Sequence, residues 1–263
     1  MTLRALLFDL DGTLADTEVL GHRPAYNRAF RKLGLPFRWG PKLYRKLLRK
    51  AGGQERLRHY LERYRPELGE HRGAVESDPH GWIKAVHALK SRYFRRLVRR
   101  GRVPLRPGVA RLMAEARESG LRLAIVTSAS RATLSPILRH SLGAELVDRF
   151  DVLVCGEDVE HKKPAPDLYL LALARLDLAP QECVAIEDSE MGLAAAAAAG
   201  IATVVTTNDN TAHEDFDRAQ LVVDTLGEPG APCNVLHGRL EEMCVTVPAL
   251  RRLIEPDFST RAA

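Results

Sequence analysis

Asp9 and Asp11 lie two residues apart in FDLDGTLADTE (residues 8–18), directly after an apolar run, and Asp16 adds a third carboxylate close by. Thr127 and Ser128 follow the apolar stretch LRLAIV, and Glu187 and Asp188 end CVAIED. Lys163 stands in the loop after VDRFDVLVCG. In an open parallel sheet the loops beyond the carboxyl ends of the strands converge, so these scattered positions can form one site.

Their chemistry suits phosphoryl transfer. One carboxylate can attack phosphorus and form an aspartyl-phosphate, which splits one hard displacement into two easier ones. A second acid must protonate the departing oxygen and later deprotonate water, so the two carboxylates do separate jobs. Hard oxygen ligands beside the nucleophile suit Mg²⁺. A hydroxyl and an ammonium can neutralise the charge of the group in transfer. Taken singly, each residue has a plainer reading: Thr127 or Ser130 as a helix cap, Lys163 as a surface lysine, Asp16 and Glu18 as caps of a helix start. Their joint order favours the site.

Positioning such residues requires alternating strands and helices. Leu3–Asp9 reads as a short buried strand leading to the permissive Gly12. From about Thr17 to Arg100 the spacing turns helical in LYRKLLRKA, ERLRHYLERY and WIKAVHALKSRYFRRL, and VPLRPG (103–108) reads as a return linker. Strands are then predicted at LRLAIVTS, VDRFDVLVCG, ECVAIEDS, IATVVTTN and AQLVVDTL. Helices are predicted at RATLSPILRHSL, with Pro136 early or at a kink, at PDLYLLALARL, and at MGLAAAAAAG, which Gly200 stops. The pattern predicts an α/β protein with a doubly wound parallel sheet and a helical insertion. The expected domains are a core of residues 1–16 and 101–228, a helical domain of 17–100, and a tail of 229–263 with no clear pattern.

Composition narrows the class. The chain has 263 residues, 45% hydrophobic and 28% charged, enough to bury a sizeable core. No run approaches the roughly 18 apolar residues that cross a bilayer, and the start does not resemble a secretory signal. Cys155, Cys183, Cys233 and Cys244 show no metal-finger spacing, which fits thiols in a reducing compartment. The net charge of +5 is uneven: residues 21–102 hold 23 Lys/Arg against 6 Asp/Glu. That basic stretch reads first as a solvated arginine-rich surface and second as a field that attracts phosphorylated substrates. A nucleic-acid surface, suggested by YFRRLVRRGR, ranks last because no aromatic-interleaved module accompanies it.

DLDGT, VTSAS, KKPAP and IEDS, in this order, resemble the four motifs of the haloacid dehalogenase (HAD)-type phosphohydrolases. The resemblance implies a Rossmann-like HAD core with an inserted helical cap. It makes Asp9 the nucleophile and Asp11 the general acid/base, with Asp9, Asp11 (through its backbone carbonyl), Asp188 and Glu187 around Mg²⁺. Ser128 would bind the transferring phosphoryl group beside Thr127. Lys163 would bridge that group to the carboxylates, its place before proline favouring it over Lys162. Within the insertion, AGGQERLRHY is similar to the GG-x-E-R segment of the CbbY-like branch, whose members include xylulose-1,5-bisphosphate phosphatases. Substrate contacts are therefore expected from Arg56, Gly53, His22 and Glu18. The chain departs from that branch at Gly21, which reads as an extra residue, and at Gln54, where lysine is common.

These readings together predict a cytoplasmic, monomeric, Mg²⁺-dependent phosphatase with neither membrane nor nucleic-acid partner. It would act on a small sugar phosphate or bisphosphate, xylulose 1,5-bisphosphate being the specific expectation. The alternatives are a β-phosphoglucomutase-like mutase, a phosphoglycolate phosphatase and, remotely, a non-catalytic nucleic-acid-binding regulator.

Overall fold

The computed structural model describes residues 2–50, 52–142 and 149–255. Two compact units are present: Met1–Asp16 with Pro104–Ala263, and Thr17–Val103. The first is built on a seven-stranded sheet in the order β3-β2-β1-β4-β5-β6-β7. Its strands are β1 (Ala5–Phe8), β2 (Arg122–Val126), β3 (Val152–Val154), β4 (Cys183–Glu187), β5 (Ala202–Thr206), β6 (Leu221–Val223) and β7 (Val235–Gly238). All neighbours pair in parallel except β6 and β7.

A parallel strand covered on both faces reads as an unbroken apolar run, and ALLF of β1 is buried at every position. Ala5 and Leu7 of β1, Ala124 and Val126 of β2 and Ala185 of β4 share one face of the sheet. They join a core with Leu168, Tyr169 and Ala172 and with Ala195 and Ala196. β1 lies between β2 and β4: the chain runs outward through β2 and β3 and then crosses back to β4 on the other side, so the crevice beyond the carboxyl end of β1 is the topological switch point. Phe8 pairs with Ile125 and Ile186, and this register sets Asp9, Val126–Thr127 and Glu187–Asp188 side by side at that end.

The strands are shorter than the sequence suggests, because burial continues past the last ladder bond. The beginning of VDRFDVLVCG, at residues 147–148, lies outside the described residues. β7 arises after Gly227, where the sequence defined no element; all four of its residues are exposed, so it carries no alternating signal.

The second unit is helical. A π-helical turn, Thr17–His22, leads to α1 (Arg23–Lys32), α2 (Pro41–Leu48), α3 (Gly53–Tyr64), α4 (Arg72–Ser77) and α5 (Pro79–Arg99). Pro79 at the first position and the Asp78 side chain, which accepts from the Gly81 N–H at 2.8 Å, start α5. Tyr26, Phe30, Trp39, Tyr44 and Tyr60 form its core with Leu47, Leu57, Ile83 and Val86.

The first unit's helices are α6 (Val109–Glu118), α7 (Arg131–Ile137), α8 (Asp167–Leu176), α9 (Glu190–Ala198) and α10 (Val247–Leu253). Pro136 sits in the last turn of α7 rather than early, and the chain widens there into a π-helical turn, Leu138–Leu142. Ser130 occupies the N-cap position of α7, but its side chain makes no capping bond. Ala195 and Ala196 of α9 are buried in the core shared with the sheet residues. Among the described residues, no helix is long and apolar enough to cross a membrane.

Candidate active site

Asp9 follows β1 immediately, and its N–H donates to the Ile186 carbonyl at 3.0 Å, extending the ladder by one residue. The chain then turns sharply: Gly12 donates to the Ala15 carbonyl at 2.8 Å and adopts a φ of +98°. Only glycine takes that conformation without strain. Asp11, half-buried, rides on this turn. Thr127 follows β2, its N–H donates to the Val154 carbonyl at 3.0 Å, and its hydroxyl accepts from the Ala129 N–H at 3.0 Å. Ser128 follows, half-buried.

Lys163 comes from the loop before α8 and is buried, whereas Lys162 is exposed. The Lys163 ammonium donates to Asp9 Oδ1 at 2.7 Å, Glu187 Oε1 at 2.6 Å and the Val126 carbonyl at 2.7 Å. These three acceptors use all of its protons. Burial disfavours its charge, but Asp9 and Glu187 outweigh burial and hold it above its ordinary range. Tyr169, on α8, donates to Glu187 Oε1 at 2.5 Å, and its ring faces the ammonium at 5.1 Å. Asn208, beyond β5, donates to Asp188 Oδ2 at 2.7 Å.

One ammonium thus sits among three buried carboxylates, Asp9, Glu187 and Asp188, which can each point an oxygen within 4.8 Å of the others. Burial pushes the Asp9 carboxyl up to about 7, against the pull of Lys163. Asp188 is pushed well above the carboxylate range by burial first, and then by Asp9 and Glu187. Among the described residues, no hydrogen bond reaches the buried Glu187 Oε2. Excess negative charge, hard oxygen donors and an orphaned carboxylate oxygen together fit a divalent cation.

In the second unit, Arg56 is buried rather than on the surface. It pairs with Glu18 at 3.3 Å and Tyr44 at 2.9 Å. Tyr44 also donates a short hydrogen bond to Glu18. Burial opposes the Arg56 charge, but Glu18 outweighs it and keeps the guanidinium a cation. Its Nε has no hydrogen-bond partner among the described residues. Gly53 accepts from the Tyr26 hydroxyl at 2.6 Å, and a Cβ there would come within 2.5 Å of His87 Nε2. His22 stacks on Phe94 with ring centroids 4.0 Å apart. Gly21 lies against the same Phe94 ring, 2.6 Å from where its Cβ would be, so a side chain there would require the ring to shift.

Residues 3–200 match the haloacid dehalogenase-like hydrolases. The chain belongs to this family. It is 48% identical over 230 residues to the plasmid Protein CbbY of Cupriavidus necator, covering 88% of each. It shares 38% identity with a mutant CbbY from Rhodobacter sphaeroides, solved in complex with xylulose-(1,5)bisphosphate; the TM-score is 0.76, with 87% of this chain and 97% of that one covered. A phosphorylated carbohydrates phosphatase of Thermotoga maritima is 32% identical over 204 residues, 76% of this chain and 82% of the relative. This HAD hydrolase is therefore a CbbY-like phosphoric monoester hydrolase.

Three residues of the HAD core were not found by sequence reasoning. Tyr169 looked like one more apolar position of α8, and Asn208 like loop. Arg106, in VPLRPG, looked like a linker charge. It is buried and donates to the carbonyls of Gly12, Thr206 (2.9 Å), Thr207 (2.6 Å) and Asp224 (2.8 Å), with Asp16 at 3.5 Å from its Nε. It thereby fastens the turn that carries Asp11. Its one signal was a lone arginine before a Pro-Gly pair. Asp16 is thus engaged by Arg106, and Glu18 by Tyr44 and Arg56; α1 itself has no side-chain cap.

Proposed function

We propose that this HAD hydrolase is an Mg²⁺-dependent sugar-bisphosphate phosphatase that acts on xylulose 1,5-bisphosphate through a phospho-Asp9 intermediate. The observation that carries the reading is the Lys163 ammonium held between Asp9 and Glu187.

In this scheme Asp9 attacks the phosphorus through a carboxylate oxygen that Lys163 does not hold. Lys163 keeps Asp9 aligned and offsets charge that builds on the phosphoryl oxygens. Thr127 and Ser128, at the β2 end, donate to those oxygens. Asp11 gives its proton to the leaving sugar oxygen, then takes one from the water that cleaves the acyl phosphate. Asp9, the Asp11 carbonyl, Asp188 and Glu187 would hold Mg²⁺, which would supply positive charge to offset that of the phosphoryl group. Arg56, presented with Glu18 and Gly53, takes a second phosphate of the substrate; its planar fork suits phosphate oxygens. His22 contributes to the same recognition. The basic character of residues 21–102 raises the local concentration of doubly charged substrates.

The test is phosphate release from xylulose 1,5-bisphosphate with and without Mg²⁺, with β-glucose 1-phosphate alongside. Rapid Mg²⁺-dependent release, abolished in Asp9→Asn, is expected. Absence of release, with glucose 6-phosphate formed from the second substrate, would replace the phosphatase by a mutase.

A further inference from the structure

Glu187 is asymmetric. Its Oε1 accepts from Lys163 at 2.6 Å and from Tyr169 at 2.5 Å, while its Oε2 accepts from no described residue. The α9 backbone presses on the same carboxyl: a Cβ on Gly192 would fall 1.9 Å from Oε2. Glu187 therefore has little room to rotate, and its two donors, both on Oε1, decide which oxygen is left without a protein partner. Lys163 cannot decide this alone, because its ammonium is also shared with Asp9 and the Val126 carbonyl. The Tyr169 hydroxyl donates only to Glu187 Oε1.

We propose that Tyr169 is a positioning residue of the phosphatase: its hydroxyl pins Glu187 Oε1 and so commits Oε2 to the metal side of the site. This rests on the Mg²⁺-dependent reading above. The hydroxyl touches neither substrate nor phosphoryl group; it acts through Glu187. The tyrosine ring has a separate role, lying against the Lys163 ammonium at 5.1 Å, and phenylalanine would retain it. Residues that orient metal-side carboxylates from behind commonly change metal affinity or activity by about 10- to 100-fold when lost.

The experiment compares wild type with Tyr169→Phe and Tyr169→Leu, using calorimetric titration of metal-free protein with Mn²⁺ and Mg²⁺, steady-state kinetics and thermal melts. Tyr169→Phe should weaken metal binding about 10-fold and raise the half-activating Mg²⁺ concentration in parallel. At saturating Mg²⁺, KM for the sugar bisphosphate should stay unchanged. Tyr169→Leu should add a loss of stability, because the ring leaves Lys163. Unchanged metal affinity in a folded Tyr169→Phe protein would overturn the proposal. A wild type that neither binds Mg²⁺ nor releases phosphate with it would instead overturn the underlying reading.

Discussion

Gly12 lies against Asp188 so closely that a Cβ on it would stand 2.1 Å from Asp188 Oδ2. The turn that presents Asp11 and the second carboxylate of the fourth motif are thus packed against each other, and the glycine of DLDGT is required twice. Its φ of +98° excludes other residues, and so does its neighbour. Gly12→Ala should cost about 1–3 kcal/mol in stability through backbone strain alone. It should also move Asp188 and lower kcat by about 100-fold. Denaturant unfolding and kinetics on an aryl phosphate check both; near-normal kcat would mean the Asp188 position is not critical.

Among the described residues, Lys163 is the one ammonium paired with these buried carboxylates, with a side-chain exposure of 6%. Lys163→Met keeps the stem and removes the charge. In metal-free protein it should cost about 3–5 kcal/mol, the range for breaking a buried pair from one side. Added Mg²⁺ should recover part of that loss. Equal stability of the variant and wild type in a chelator would show that the carboxylates are protonated or hydrated instead.

Arg56→Ala should raise KM for the bisphosphate by about 10-fold or more, since a charged hydrogen bond is lost from bound substrate. Hydrolysis of a small aryl phosphate, which has no second phosphate, should be almost unaffected. A parallel loss on both substrates would assign Arg56 to the architecture around Glu18 alone.

His87 supplies a pH-dependent test. Burial, then the charges of Lys90, His22 and Arg56, lower its imidazole to about 4 from 6.5. The folded value lies below the unfolded one, so acid protonates the unfolded chain first. The stability from a neutral His87 is complete above pH 6.5 and is lost as pH falls from 6.5 toward 4. Discounting for its partial exposure, the loss is about 1–2 kcal/mol. His87→Gln should flatten the stability profile in that window, and a wild-type imidazole titrating near 6.5 by NMR would refute the assignment.

Much of the core site could be read from the chain because it is written in order. Asp9, Thr127, Lys163 and Glu187–Asp188 each sit at a strand end or in the loop beyond one, and a fully buried strand such as ALLF is recognisable without a partner. The partners were harder to read. The pairing of Glu18 with Arg56 spans 38 positions and depends on how two helices pack, which spacing does not encode. The Tyr169 hydroxyl was hidden for the opposite reason: an aromatic at helical spacing fits a core face equally well. β7 was missed because an exposed edge strand lacks both burial and alternation.

The two crossings between the units are stitched together on the core side. Ala15 forms an antiparallel bridge with Leu105, and Arg106 donates to the Leu14 carbonyl at 2.9 Å. The helical unit is thus a loop closed at its stem, entering and leaving the sheet domain at one point. In engineering terms this is a socket. The segment between Thr17 and Val103 could be exchanged for one of another length without resetting the register of any strand. If Arg56 takes a substrate phosphate as proposed, substrate preference could then vary with that segment while the residues at the strand ends stay as they are.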